Sequence, residues 1–337
     1  MAEFLSRVED FLGTRGEEPD IQPLTPDAST REYFRVGWRD STAIACVYPE
    51  PFIAVEQSYL DVTELFRKCG LPVASIFDKD EALGVILMED MGNRILRDEL
   101  GRSENERREE LLDSAIGLIP RIQAATGTAF EIGSIASKLK FDVEKLSWEL
   151  NFFVEHYFGT LSKRPLENGL SAMVDREFRQ LAAELESRAS VLCHRDFHTA
   201  NLMLDGHNRL RIIDHQDARI GSAAYDLVSL LLDRVTEPPS AEWLAAKRTV
   251  FLRKRSELGL PELDDEEFAN EFRLQTIQRC LKAVGTFSFQ SANRGKTYFL
   301  PFIRPMFQIV GRALERLDRF PLIRDLVAAE LEMGREG

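Results

Sequence analysis

"VLCHRDFHTANLMLDGHNRLRIIDHQD", residues 191–217, holds four of the five histidines of this 337-residue chain, His194, His198, His207 and His215, among aspartates and a single asparagine. Its second half reads as a hairpin: apolar runs at 202–204 and 210–213, joined by a turn of Asp205, Gly206, His207 and Asn208. A turn centred between His207 and Asn208 sets Asn201 directly opposite Asp214, so two oxygen-bearing side chains stand together at the open end. Asp196 precedes Asn201 by five residues, in the loop feeding the first strand. An amide and two carboxylates are hard oxygen ligands suited to Mg²⁺ but too few to cage it; water and substrate phosphates would complete the shell.

His194 and His198 have the spacing of a zinc-binding helix, but no glutamate follows the first histidine and the segment enters a strand. His194 is expected to brace the loop and His207 to be solvated, while His198 and His215 are open to a core or a site role.

The rest of the chain sets the frame. Its length exceeds the usual size of one core, which predicts two lobes. A formal charge of −13 argues against a nucleic-acid surface, since phosphate-backbone binding draws on clustered Lys and Arg. Cys46, Cys69, Cys193 and Cys280 are scattered, without a CxxC pair, and so point to a reducing cytoplasm. The N-terminal segment carries acids where a signal peptide would be apolar, and the tightest apolar run, 227–232, is far too short to span a bilayer, so no membrane partner is expected.

An amphipathic opening helix, with Phe4, Leu5, Val8, Phe11 and Leu12 on one face, precedes β-like runs "REYFRV", "STAIACVY" and "GVILMED". A helix within "AVEQSYLDVTELFRKCG" separates the last two and stops at Gly70 and Pro72. From about residue 105 the periodicity is helical: "ENERREELLDSAIGL", "DVEKLSWELNFFVEHYF", "SAMVDREFRQLAAELESR", "AEWLAAKRTVFLRKRSELG" and a long tail over 266–331. The expected fold is α+β and two-lobed. Residues 1–92 form a small sheet lobe, and residues 93–337 a mainly helical lobe that contains the hairpin.

"HRDFHTAN" followed by "IID" resembles the catalytic loop and metal-binding aspartate of the protein-kinase-like fold. "HTANLML" and "IIDHQDARIGSAAYDLVSLLLD" are similar to the aminoglycoside phosphotransferase and choline kinase branch. Within that branch, "PDASTREYFRV", "ILMEDMGNRIL", "IDHQDA" and "IQRCLKAVGTF" most resemble bacterial anomeric sugar kinases acting on N-acetylmuramate and N-acetylglucosamine. The resemblance implies an ATP- and Mg²⁺-dependent kinase of a small-molecule sugar, serving cell-wall sugar recycling. It makes Asp196 the base for the substrate hydroxyl and Asn201 and Asp214 the metal ligands. His194 and Arg195 become loop supports, with Asp226 bracing the loop, although a helix cap alone would explain Asp226. The backbone of Glu89 and Met91 would read adenine. Asp217, Glu149 and Arg279 become candidates for the acceptor pocket, each also explicable as a solvated residue, and Trp148 is open to sugar or core packing.

Two departures from the family pattern stand out. The phosphate-covering loop reads "DAST", with Ser29 and Thr30 but no glycine. The strand "STAIACVY" lacks the usual lysine, and no glutamate of the next helix, Glu56 and Glu64 included, falls clearly where its partner belongs. Arg31 and Arg35 flank the loop and could supply the missing cation. An aminoglycoside or choline-like acceptor, or a catalytically silent nucleotide-binding regulator, stays open at this level.

Overall fold

The computed structural model describes residues 2–24 and 30–333. In chain order the elements are α1 (Ala2–Gly13), β1 (Ile21–Leu24), β2 (Glu32–Trp38), β3 (Ser41–Val47), α2 (Ser58–Lys68), β4 (Ile76–Asp80), β5 (Val85–Glu89), β6 (Arg94–Ile95), α3 (Leu96–Arg102) and α4 (Asn105–Ala124). There follow α5 (Thr126–Glu131), α6 (Ile135–Lys138), α7 (Val143–Phe153), α8 (Asn168–Arg188), β7 (Val191–Cys193), β8 (Leu202–Leu204), β9 (Leu210–Ile212) and β10 (Arg219–Gly221). The chain closes with α9 (Tyr225–Leu232), α10 (Ala241–Glu257), α11 (Asp265–Arg294), α12 (Ile303–Leu317) and α13 (Pro321–Met333). Internal contacts divide it into two compact units, Met1–Arg108 with Ala200–Asp217, and Glu109–Thr199 with Ala218–Gly337.

In the first unit five strands form an antiparallel sheet in the order β1-β2-β3-β5-β4. Alternation decides which helix each face meets. Phe34, Val36, Trp38, Ala43, Ala45, Val47, Val85 and Leu87 pack with Val8, Phe11 and Leu12 of α1. The opposite face presents Cys46, Ile86 and Met88 to a second cluster that includes Tyr59 of α2. The hairpin β8–β9 belongs to this unit because β8 pairs with β6 and Ile212 donates to the Pro72 carbonyl at 2.9 Å.

In the second unit α11, 30 residues long, is the central rod and contacts α7, α8, α9 and α12. The expected single helical tail is three helices. Gly295 takes a left-handed φ of 67°, and a tight turn over Thr297–Phe302 containing Pro301 intervenes before α12; Asp318, at φ 49°, ends that helix. Beyond Phe153 the backbone widens into a π-helical stretch, Val154–Leu161.

Gly285 of α11 sets how closely α7 can lie, since a Cβ there would stand 2.7 Å from Phe153 Cα and 2.9 Å from its N. Gly285→Ala must push two helix backbones apart. It should cost about 1–3 kcal/mol and lower the midpoint of thermal unfolding by several degrees despite the better helix propensity of alanine. A midpoint at or above that of the wild type would show that the helices can separate freely.

Candidate active site

The first unit carries the two expected metal ligands. The hairpin register differs by one residue from that expected: Leu202 faces Ile212, and Ile213 N donates to the Asn201 carbonyl at 3.1 Å, so Asn201 does not stand opposite Asp214. The turn explains the slip. Asn208 adopts a left-handed φ of 59°, giving a three-residue loop closed by Asp205 N donating to Arg209 O at 3.0 Å. The buried Asp205 carboxylate accepts from the N–H groups of His207 and Arg209, at 2.9 and 3.0 Å. His207 itself is exposed.

A slip of one residue would send Asp214 to the wrong face in a regular strand. Asp214 instead has φ 61°, beyond the end of β9, and its Oδ2 lies 3.4 Å from Asn201 Nδ2. Its Oδ1 accepts from Arg31 Nη2 at 3.1 Å and from Gln216 Nε2 at 2.9 Å. No group of three or more His, Cys, Asp or Glu side chains able to hold a metal ion occurs among the described residues. Two oxygen-bearing side chains fit an ion that keeps water and phosphate oxygens, as Mg²⁺ does.

Of the two candidate cations, Arg35 is spent on Asp90, at 2.6 and 3.1 Å, and on Asn93 at 2.7 Å. Arg31 is the one at Asp214. Its guanidinium carbon lies 5.8 Å from each of the Tyr33 and Tyr48 ring centroids. Thr30 is exposed, and Ser29 falls outside the described residues.

The segment after Asp214 is tied to α2 by other side chains. Glu56 and Glu64 are both exposed, and Thr63 takes the inward position on α2. Thr63 Oγ1 meets His215 Nε2 at 2.7 Å, and the His215 ring stacks on Tyr59 and Phe66 at centroid distances of 4.9 and 5.3 Å. The residue following Asp214 is thereby clamped to α2. Glu89, at the end of β5, directs its side chain to Arg211, with two contacts of 2.8 Å, while Met91 packs beside the Cys46 and Met88 cluster.

The second unit carries Asp196. Antiparallel β7 and β10 bring the loop after Cys193 beside the start of α9. Asp226 is fully buried and accepts from the backbone N–H of His194 at 2.7 Å and of Arg195 at 3.1 Å. It is not the N-cap of α9, which is Ala224. Arg195, at φ 84°, is left-handed and strained for a non-glycine residue, a conformation that the paired acceptors of Asp226 hold in place. The turn before α9 is itself held residue by residue. Ser222 donates to Gln275, Gln123 donates to the Ala223 carbonyl, and Ala224 N donates to Glu271.

Around Asp196 the same unit gathers opposite charges. Arg279 Nη1 lies 3.7 Å from Asp196 Oδ1 and donates to Tyr225 OH at 3.3 Å. Glu149, 1% exposed and so no solvated helix residue, accepts from Gln278 at 2.8 Å and lies 3.2 Å from Lys282 Nζ. Burial pushes the Asp196 carboxyl up, but Lys282, Arg279, Arg195 and His198 outweigh it and hold the group well below the usual carboxylate range. Lys282 and Gln278 escaped sequence reading. Their signal was a run of polar positions, 275, 278 and 282, spaced as one face of a largely buried helix. Trp148 is 57% exposed, which excludes core packing, and the Lys145 ammonium sits 4.4 Å from its ring centroid. Asp217 is half-buried and belongs to the first unit, with the hairpin.

A sheet-bearing unit that carries Asn201 and Asp214, with a helical unit that carries a braced HRD loop, is the protein-kinase-like fold in its small-molecule phosphotransferase form. The chain belongs to the phosphotransferase enzyme family, which it matches over residues 20–263. It is 29% identical over 322 residues to the N-acetylmuramate/N-acetylglucosamine kinase of Neisseria meningitidis serogroup B, covering 94% of this chain and 93% of that one. To the protein of the same name in Pseudomonas aeruginosa it is 28% identical, over 95% and 92% of the two chains. The choline kinase of Streptococcus pneumoniae shares the fold, with a TM-score of 0.58 at 13% identity over 91% of this chain and 98% of that one.

Proposed function

We propose that this phosphotransferase moves the γ-phosphoryl group of ATP to the anomeric hydroxyl of N-acetylmuramate or N-acetylglucosamine, in the cytoplasm, as a step in cell-wall sugar recycling. The observation that carries the choice of acceptor is the full-length match to two kinases named for these sugars. Arg279, 3.7 Å from Asp196, and Lys282, 3.2 Å from Glu149, place cations beside the proposed base, which supports a neutral or acidic acceptor. The four cysteines are all free, in keeping with a reducing compartment.

In this reading Asp196 orients the anomeric hydroxyl and accepts its proton. That hydroxyl is more acidic than an ordinary alcohol, so one carboxylate suffices, and most of the rate comes from positioning and charge. Asn201 and Asp214 would hold Mg²⁺, which when bound neutralises phosphate charge. Arg31 supplies the cationic contact that a strand lysine gives elsewhere, beside Ser29 and Thr30. The backbone of Glu89 and Met91 reads adenine. A silent regulator is disfavoured by the retention of Asp196, Asn201 and Asp214 together.

Assaying ATP consumption against amino sugars, aminoglycosides and choline tests the acceptor. Turnover should appear with the N-acetylated sugars, and the product should show phosphorus coupling to the anomeric proton with loss of reducing-sugar signal. A product that still reduces, or turnover confined to aminoglycosides or choline, would overturn the proposal.

A further inference from the structure

We infer that Arg279 and Lys282 form a subsite for a carboxylate carried by the acceptor sugar, a contact that N-acetylmuramate can make and N-acetylglucosamine cannot. The inference rests on the sugar-kinase reading above and adds the residues that tell its two acceptors apart.

Both side chains project from one face of α11, three positions apart, and both are largely withdrawn from solvent, at 12% and 18% exposure. Each is already anchored by a partner that fixes its direction. Arg279 reaches Asp196 and Tyr225, and Lys282 reaches Glu149, whose other oxygen is held by Gln278. Neither cation is saturated by these contacts, since an ammonium has three donors and a guanidinium five.

Arg195, Arg279, Lys282 and Arg234 face Asp196, Glu149, Asp233 and the buried Asp226, with Arg234 lying 3.7 Å from Asp233. Burial holds His198 below the usual histidine range, so it adds no charge near neutrality. Within this paired cluster Arg279 and Lys282 keep donors beyond those their partners use. Burial also drives Lys282 below the usual lysine range, against the pull of Glu149. An arriving carboxylate would give this group a further counter-charge.

Removing Lys282 alone would strand the buried Glu149, so the test replaces both: Glu149→Gln/Lys282→Met, with Lys282→Arg as the charge-keeping control. Steady-state kcat/KM is measured for N-acetylmuramate, its lactyl carboxamide and N-acetylglucosamine, with thermal unfolding as the check on folding. The double variant is expected to lose activity on all three, but about 10- to 100-fold more on N-acetylmuramate, chiefly through KM, as fits loss of a hydrogen bond to a charged group. The wild type should treat the carboxamide like N-acetylglucosamine, and Lys282→Arg should keep most of the preference for the acid. Equal losses on all three sugars would instead assign these cations to the transferred phosphoryl group and overturn the subsite. An unchanged preference in the folded double variant would likewise overturn it. If the wild type turned over none of the sugars, the functional reading would fail, and the subsite with it.

Discussion

Asp196→Asn is expected to lower turnover by a factor of about 10² to 10⁴ while nucleotide affinity changes little, the range that general acid–base assistance supplies. Asparagine keeps the shape and removes the charge. Asp196 sits on a loop whose two preceding backbone N–H groups are tied to the buried Asp226, so the substitution should leave the loop where it is. The surrounding cations also fix a pH signature. Because they hold the carboxyl well below its usual range, wild-type Asp196 stays ionised through the ordinary aspartate region near about pH 4. The same depression stabilises the fold above the unfolded-state pKa, a contribution lost only as pH falls through the folded value. Single-turnover rates should therefore show no acid limb from Asp196 as pH falls from about 6 to about 4. Wild-type turnover in Asp196→Asn, under conditions where chemistry limits, would remove it from the role of base.

The second large effect is expected at Asp214→Ala, a loss of about 10² to 10³ in turnover through missing electrostatic stabilisation of the phosphates. Calorimetry separates this from damage to the fold. The increment that Mg²⁺ adds to nucleotide affinity should vanish, whereas metal-free affinity should hold or rise. In the wild type Arg31 is tethered to Asp214 at 3.1 Å, and removing the carboxylate takes one anchor from a guanidinium that also holds Tyr48. An undiminished Mg²⁺ response would show that the hairpin end is not the metal site.

What the sequence disclosed and what it hid divide along physical lines. The motif 191–217, the face of α1 and the central strands β2, β3 and β5 follow periods that side chains impose locally, and all were legible. Edge strands β1, "IQPL", and β4, "IFDKD", were not, because one contains a proline and the other alternates with charges. The hairpin register failed by one residue because a left-handed Asn208 cannot be told from a right-handed one by composition. The partners of the candidate residues were hidden for another reason. Thr63 and His215 are 152 positions apart, and Gln278 and Glu149 are 129 apart. Only packing brings such pairs together. A single sequence therefore showed that the strand lysine was missing, but not that a stacked histidine ties α2 to the turn after Asp214.

The division of labour along α11 bears on how such an enzyme can change over generations. One rod of 30 residues carries Glu271 and Gln275, which steady the turn before α9, and, within the following two turns, Gln278 and Lys282, which fix Glu149. Inheritance could thus alter positions 278 and 282, with Glu149 changing alongside, while 271 and 275 go on holding the turn before α9. Gly285, one turn further, keeps the spacing of α7 constant meanwhile. If this surface meets the acceptor as proposed, new acceptors would be open through substitutions on one helix, with the hairpin that carries Asn201 and Asp214, encoded some seventy residues upstream, left untouched.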